Sequence, residues 1–114
     1  MFTRKTLNQK INTFLSDLET IGFKVTKAIL FGSYANGKIH EGSDIDLAIW
    51  LSNFPEKHWT DIRAITHIVA KHSPISPKFY SENETETEDP FIGVIEKTGK
   101  SIDLKKAATE IIQF

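Results

Sequence analysis

Leu30 and Phe31 run into Gly32-Ser33-Tyr34-Ala35-Asn36-Gly37-Lys38, and a short gap later come Ser43-Asp44-Ile45-Asp46-Leu47. A glycine directly after an apolar run lets the backbone turn sharply, and without a Cβ its amides can approach an anion; Ser33 adds a hydroxyl donor at a predicted helix start. Such a turn suits triphosphate oxygens. Asp44 and Asp46 are two apart, so on a strand they project from one face with Cα atoms about 7 Å apart. Carboxylates that converge to 4 Å repel by about 1 kcal/mol in water and about 4 kcal/mol at an effective dielectric near 20, which calls for a cation or a proton between them. Oxygen donors of this kind suit Mg²⁺ or Mn²⁺. A metal beside a triphosphate neutralises charge on the reacting phosphoryl group and orients a nucleophile, so the chemistry indicated is phosphoryl or nucleotidyl transfer.

Residues 32–38 also spell the first seven positions of a P-loop, G-x-x-x-x-G-K. The eighth position decides against one: it needs Ser or Thr to ligate Mg²⁺, Ile39 has no oxygen to offer, and Gly42 interrupts the long helix that should follow. A plainer reading makes Gly32 and Gly37 ordinary turn residues and the two aspartates loop caps. Either half alone would favour it; the two halves together, in this order after a strand, favour a nucleotide site.

The elements that must hold these residues follow from periodicity. Leu7, Ile11, Phe14, Leu15 and Leu18 form one apolar stripe on a helix over 6–20, stopped by Gly22. Residues 25–31, β-branched and apolar, predict a strand ending in the Gly32 turn, and 32–42 predict a backbone-led loop with at most one short helical turn. A second strand spans 45–51, where Ile45, Leu47 and Ile49 alternate with Asp46 and Ala48, giving one apolar face and one that begins acidic. After a break at 53–55, Trp59, Ile62, Ile65, Ile68 and Val69 mark a second amphipathic helix ending near Lys71. A third strand over 75–80 carries Pro77 and is therefore expected at a sheet edge. The acidic run 81–89 predicts a solvated loop, and Phe91, Ile92, Val94 and Ile95 a short helix ending near Gly99, with a further strand and a helical tail beyond.

At 114 residues, 39% hydrophobic and 25% charged, the chain suits one domain, 1–114, of mixed α/β type, large enough to build a core without staples. Its net charge of -1 argues against binding nucleic acid or membrane by bulk charge. The charge is uneven, however: residues 1–40 carry six basic and two acidic groups, which permits a local anion site near the front of the chain. The absence of cysteine excludes disulfides, thiolate zinc sites and a cysteine nucleophile. With no apolar leader and no run long enough to span a membrane, a cytoplasmic location is expected. His40, His58, His67 and His72 stand without a partner at ligand spacing and are expected in solvent-facing or capping roles; Trp50 and Trp59 are expected to pack.

The motif resembles that of the minimal nucleotidyltransferases of the DNA polymerase beta-like superfamily, hG[GS]x(9–13)[DE]h[DE]h. Phe31 supplies the leading hydrophobic, Gly32-Ser33 the turn, and Asp44-Ile45-Asp46-Leu47 the acids with their interleaved apolar residues; Ala35, Gly37 and Ser43 extend the likeness. The resemblance implies a small mixed sheet flanked by helices. It also implies binding of a nucleoside triphosphate, ATP first among them, by Gly32, Ser33 and Ser43, with Mg²⁺ or Mn²⁺ on the catalytic pair Asp44 and Asp46. The implied reaction is transfer of a nucleoside monophosphate to a hydroxyl. Small bacterial members often pair with a helical HEPN protein as antitoxin and toxin, so such a protein is the implied partner, with a second copy of this chain another. The family usually carries a third carboxylate on a later strand. Here Ser76 stands in that place, leaving Glu82, Glu84 and Asp103 as candidates to supply the missing oxygen, or a catalytically impaired binding module as the alternative.

Overall fold

A computed structural model describes residues 2–52, 59–106 and 110–114; the expected break at 53–55, His58 and the side chain of Trp59 lie outside the described residues. Helix α1 (Arg4–Thr20) begins two residues before its predicted start because Thr3 caps it, its Oγ1 accepting from the Thr6 amide at 3.1 Å. Strand β1 (Val25–Phe31) and the single turn α2 (Ser33–Asn36) follow, then β2 (Ile45–Leu51), α3 (Trp59–Lys71), β3 (Ile75–Ser81), α4 (Pro90–Thr98) and the short β4 (Lys100–Ser101). The sheet order is β3-β2-β1-β4. β1 runs antiparallel to β2 and β4, whereas β2 and β3 are parallel, joined by the α3 crossover. β3 is an edge strand, which accommodates Pro77, a residue with no amide hydrogen to donate.

One face of the sheet carries Leu30, Ile45, Leu47 and Ile49 against Leu7, Ile11, Phe14 and Leu18 of α1 and Ile68 of α3. Each such side chain, fully buried, contributes about 1.5–3 kcal/mol. The opposite face begins acidic at Asp46, as expected, and turns apolar beyond it, where Trp50 packs. Ala48 and Trp50 are buried there with Ile29 and Tyr80 because α4 lays Ile92 and Ile95 over them. Trp50 stacks on Tyr80 at 5.0 Å, and its indole N–H donates to the Glu84 carbonyl.

Two expectations are revised. His72 follows the last residue of α3 with its amide on the Ile68 carbonyl, but it is not solvent-facing: it is 6% exposed, sits edge-on to Phe14, and its Nε2 lies 2.6 Å from Asp17 Oδ2. The described part of the tail is extended rather than helical, with Ile112 bridging Ile102. The cause lies 104 residues away, where buried Asn8 accepts the Ile112 amide on Oδ1 at 2.9 Å and donates from Nδ2 to the Arg4 carbonyl. Asn8→Ala strands that amide, so a loss of about 1–3 kcal/mol is expected in denaturant unfolding.

The His72 hydrogen bond, and after it that of Lys71, hold the Asp17 carboxyl below its ordinary value near 3.8. The ionised form is thus favoured in the folded state, and this stabilisation is complete above the unfolded value and lost as pH falls through the folded one. Acid unfolding of Asp17→Asn is expected to show a flatter limb below about pH 4.

Candidate functional site

The turn between β1 and α2 and the start of β2 form the site, brought together by strand register. Phe31 pairs with Asp46, so the residue after Phe31, Gly32, lies directly beside the Asp46 side chain. Gly32 adopts φ 71°, ψ -150°, a region essentially reserved for glycine. A Cβ built there would stand 2.2 Å from Asp46 Oδ2, so the missing side chain is the space the carboxylate occupies. The Gly32 carbonyl accepts the amides of Ala35 and Asn36, closing the short α2, while the Ser33 hydroxyl makes no hydrogen bond among the described residues. Ser43 is almost fully buried, and its Oγ accepts the His40 amide while its own amide donates to the His40 carbonyl. Ser43 therefore ties the loop that delivers Asp44.

Asp44 is exposed and Asp46 half-buried. Burial first, and then the Asp44 charge, push the Asp46 carboxyl above the usual carboxylate range. Phe31 flanks Asp46 on the β1 side, and the ring of Phe91 from α4 meets Phe31 edge-on at 5.8 Å. The amphipathic pattern of 91–95 announced that helix but not where it would dock, so Phe91 as a neighbour of the site was missed. On the β3 side the partner of Asp46 is Ser76.

The other candidates for a third oxygen are excluded by register. β2 and β3 run in parallel from Ile45 and Ile75 to Leu51 and Ser81, which puts the start of the acidic loop, with Glu82, about 17 Å from Asp46 along the strands. The Glu82 amide is bonded to the Leu51 carbonyl there, and Glu84 Oε1 accepts the Ser81 amide and hydroxyl. Asp103 follows a strand that runs from Lys100, opposite Leu30, back towards Ala28, and its Oδ1 accepts the Lys105 amide. Among the described residues, no three His, Asp or Glu side chains gather as a metal-binding group. His40 is exposed with Nδ1 on the Glu41 carbonyl, and the Lys38 amide donates to Asn36 Oδ1.

The chain matches the family model described as nucleotidyltransferase domain over residues 9–112, almost its whole length. It belongs to that family. No curated protein and no solved structure matches it. In this nucleotidyltransferase domain Asp46 lies against the Gly32-Ser33 turn, with Ser76 as its partner on β3. Among the described residues, no helix of the domain is long and apolar enough to cross a membrane.

The donor set fits a divalent cation in one particular way. Mg²⁺ is commonly held by one or two carboxylates together with substrate phosphates, rather than by an all-protein cage. Asp44 and Asp46 are the residues that would hold a cation in this way, with Asp46 pushed towards its protonated form and set against the Gly32 turn.

Proposed function

We propose that this nucleotidyltransferase domain, acting as one unit over residues 1–114, binds a nucleoside triphosphate together with Mg²⁺ or Mn²⁺ and turns it over poorly or not at all. Asp44 and Asp46 would hold the cation, and Gly32, Ser33 and Ser43 would shape and contact the triphosphate side. The cation, when bound, supplies charge neutralisation at the phosphates. The observation that carries the reading is the pairing of Ser76 with Asp46 in the β2–β3 register. In nucleotidyl transfer the acceptor oxygen bonds to the α-phosphorus, pyrophosphate departs, and the hydroxyl proton has to be accepted. A carboxylate beside Asp46 could take that proton and share the metal; a serine hydroxyl is a poor base and a weak ligand.

The retained acids support a second reading, an active transferase that moves AMP from ATP to a hydroxyl, with a helical HEPN protein as acceptor and toxin partner. The two readings separate in one experiment. Calorimetric titration with ATP is expected to give a Mg²⁺-dependent heat with the native chain, and that dependence is expected to vanish in Asp44→Ala/Asp46→Ala. AMP from ATP labelled at its α-phosphate, offered with the native host's extract as acceptor, is expected to be incorporated only by Ser76→Asp. Incorporation by the native chain establishes the active transferase and ends the impaired-module reading. Absence of Mg²⁺-dependent heat from the native chain removes both.

A further inference from the structure

The excess positive charge of residues 1–40 plays no part in the site described above, and the fold collects some of it elsewhere. Neighbouring positions on β1 point to opposite faces of the sheet: Phe31 pairs with Asp46, whereas Leu30 pairs with Lys100 and faces α1. On that second face is a cavity of about 400 Å³, lined by the rings of Phe2, Tyr34 and Phe114, by Leu7, and by two cations, Arg4 and Lys100. No acidic side chain lines it. Neither cation has a carboxylate partner among the described residues, although the whole chain carries more acidic than basic groups. The Arg4 guanidinium lies 4.3 Å over the Phe114 ring, an arrangement that satisfies its face while leaving its N–H edge available.

We propose that this cavity is a second, metal-independent binding site for a small organic anion, one with a phosphate head and a flat apolar body. The volume falls in the range of small-molecule sites. The two cations meet the head and the three rings the body, and an anion relieves the mutual repulsion of Arg4 and Lys100. Tyr34 lines the cavity while Ser33, the preceding residue of the one-turn α2, belongs to the turn beside Asp46, so the two sites share a wall without sharing their charged groups.

The test uses the full chain in excess EDTA, titrated with phenyl phosphate, AMP, adenosine and inorganic phosphate by calorimetry, with amide shifts followed by NMR. Phenyl phosphate and AMP are expected to bind and to move resonances of Leu7, Tyr34 and Lys100. Adenosine, lacking the charge, and inorganic phosphate, lacking the flat body, are expected to bind at least tenfold more weakly. Arg4→Gln/Lys100→Gln is expected to weaken phenyl phosphate at least tenfold, Arg4→Lys/Lys100→Arg to retain it, and Asp44→Ala/Asp46→Ala to leave it unchanged. The proposal is overturned by no binding in EDTA, by equal binding of adenosine or inorganic phosphate, or by equal loss in the charge-conserving variant. It is also overturned by binding that needs Mg²⁺ and disappears with the aspartates. Because these arms exclude metal, their outcome is independent of that of the Mg²⁺–ATP titration.

Discussion

Gly32→Ala is expected to lower stability by about 1–3 kcal/mol from backbone strain alone, and to abolish Mg²⁺-dependent nucleotide binding. The two effects have separate causes. At φ 71°, ψ -150° any side chain strains the backbone. The added methyl would also fall 2.2 Å from Asp46 Oδ2 and 3.0 Å from its Cγ, so the carboxylate has to swing out of the place it occupies against Gly32. Gly37→Ala is the control. Gly37 also has positive φ, at 79°, but nothing lies within 4 Å of the position its Cβ would take. That variant should carry only the left-handed penalty of about 1–2 kcal/mol and keep nucleotide binding. Thermal unfolding and ATP titration of the two variants decide the matter. Equal nucleotide affinities for both would mean that the close approach of Gly32 to Asp46 has no part in the site.

The parts of this arrangement that were legible in the sequence are those set by local pattern. The stripe Leu7, Ile11, Phe14, Leu15 and Leu18 is buried as its period requires, and Pro77 sits on the edge strand. The resemblance singled out Ser76, but its pairing with Asp46 comes from the parallel register of a strand–helix–strand unit, which the sequence analysis did not specify. The failures involve partners far away in the chain. Nothing in 45–51 says that α4 will cover Ala48 and Trp50, since the covering residues Ile92 and Ile95 come more than forty positions later. His72 looks like a lone histidine until α1 brings Asp17 to it, and the tail looks helical until Asn8 takes the Ile112 amide. The supposed reach of Glu84 or Asp103 failed for the same reason: side-chain type was visible, while the end of the sheet on which each would stand depended on register.

Asp46→Asn is expected to stabilise the protein at neutral pH while weakening the bound Mg²⁺–ATP by roughly a hundredfold or more; even outer-shell changes at metal sites cost 10–100-fold. The sign of the stability change follows from the direction of the shift. Burial, reinforced by Asp44, raises the Asp46 carboxyl above its ordinary value, so the folded state binds this proton more tightly than the unfolded chain does. The protonated group's stabilising contribution is present below the unfolded value and is lost as pH rises through the folded one, leaving the ionised carboxylate as a liability at pH 7. Asparagine keeps the shape and removes the charge. The gain should be a few tenths of a kcal/mol to about 1 kcal/mol, because solvent screens a half-exposed pair. Adding Mg²⁺ with ATP should reverse the ranking, since bound ligand stabilises the native chain in proportion to its saturation and the variant gains little. Unfolding curves at pH 7 and pH 4, with and without Mg²⁺–ATP, test each step. A variant less stable than the native protein at pH 7 and equally stabilised by Mg²⁺–ATP would show that Asp46 is held by its neighbours as a structural group, with no strain for a cation to relieve.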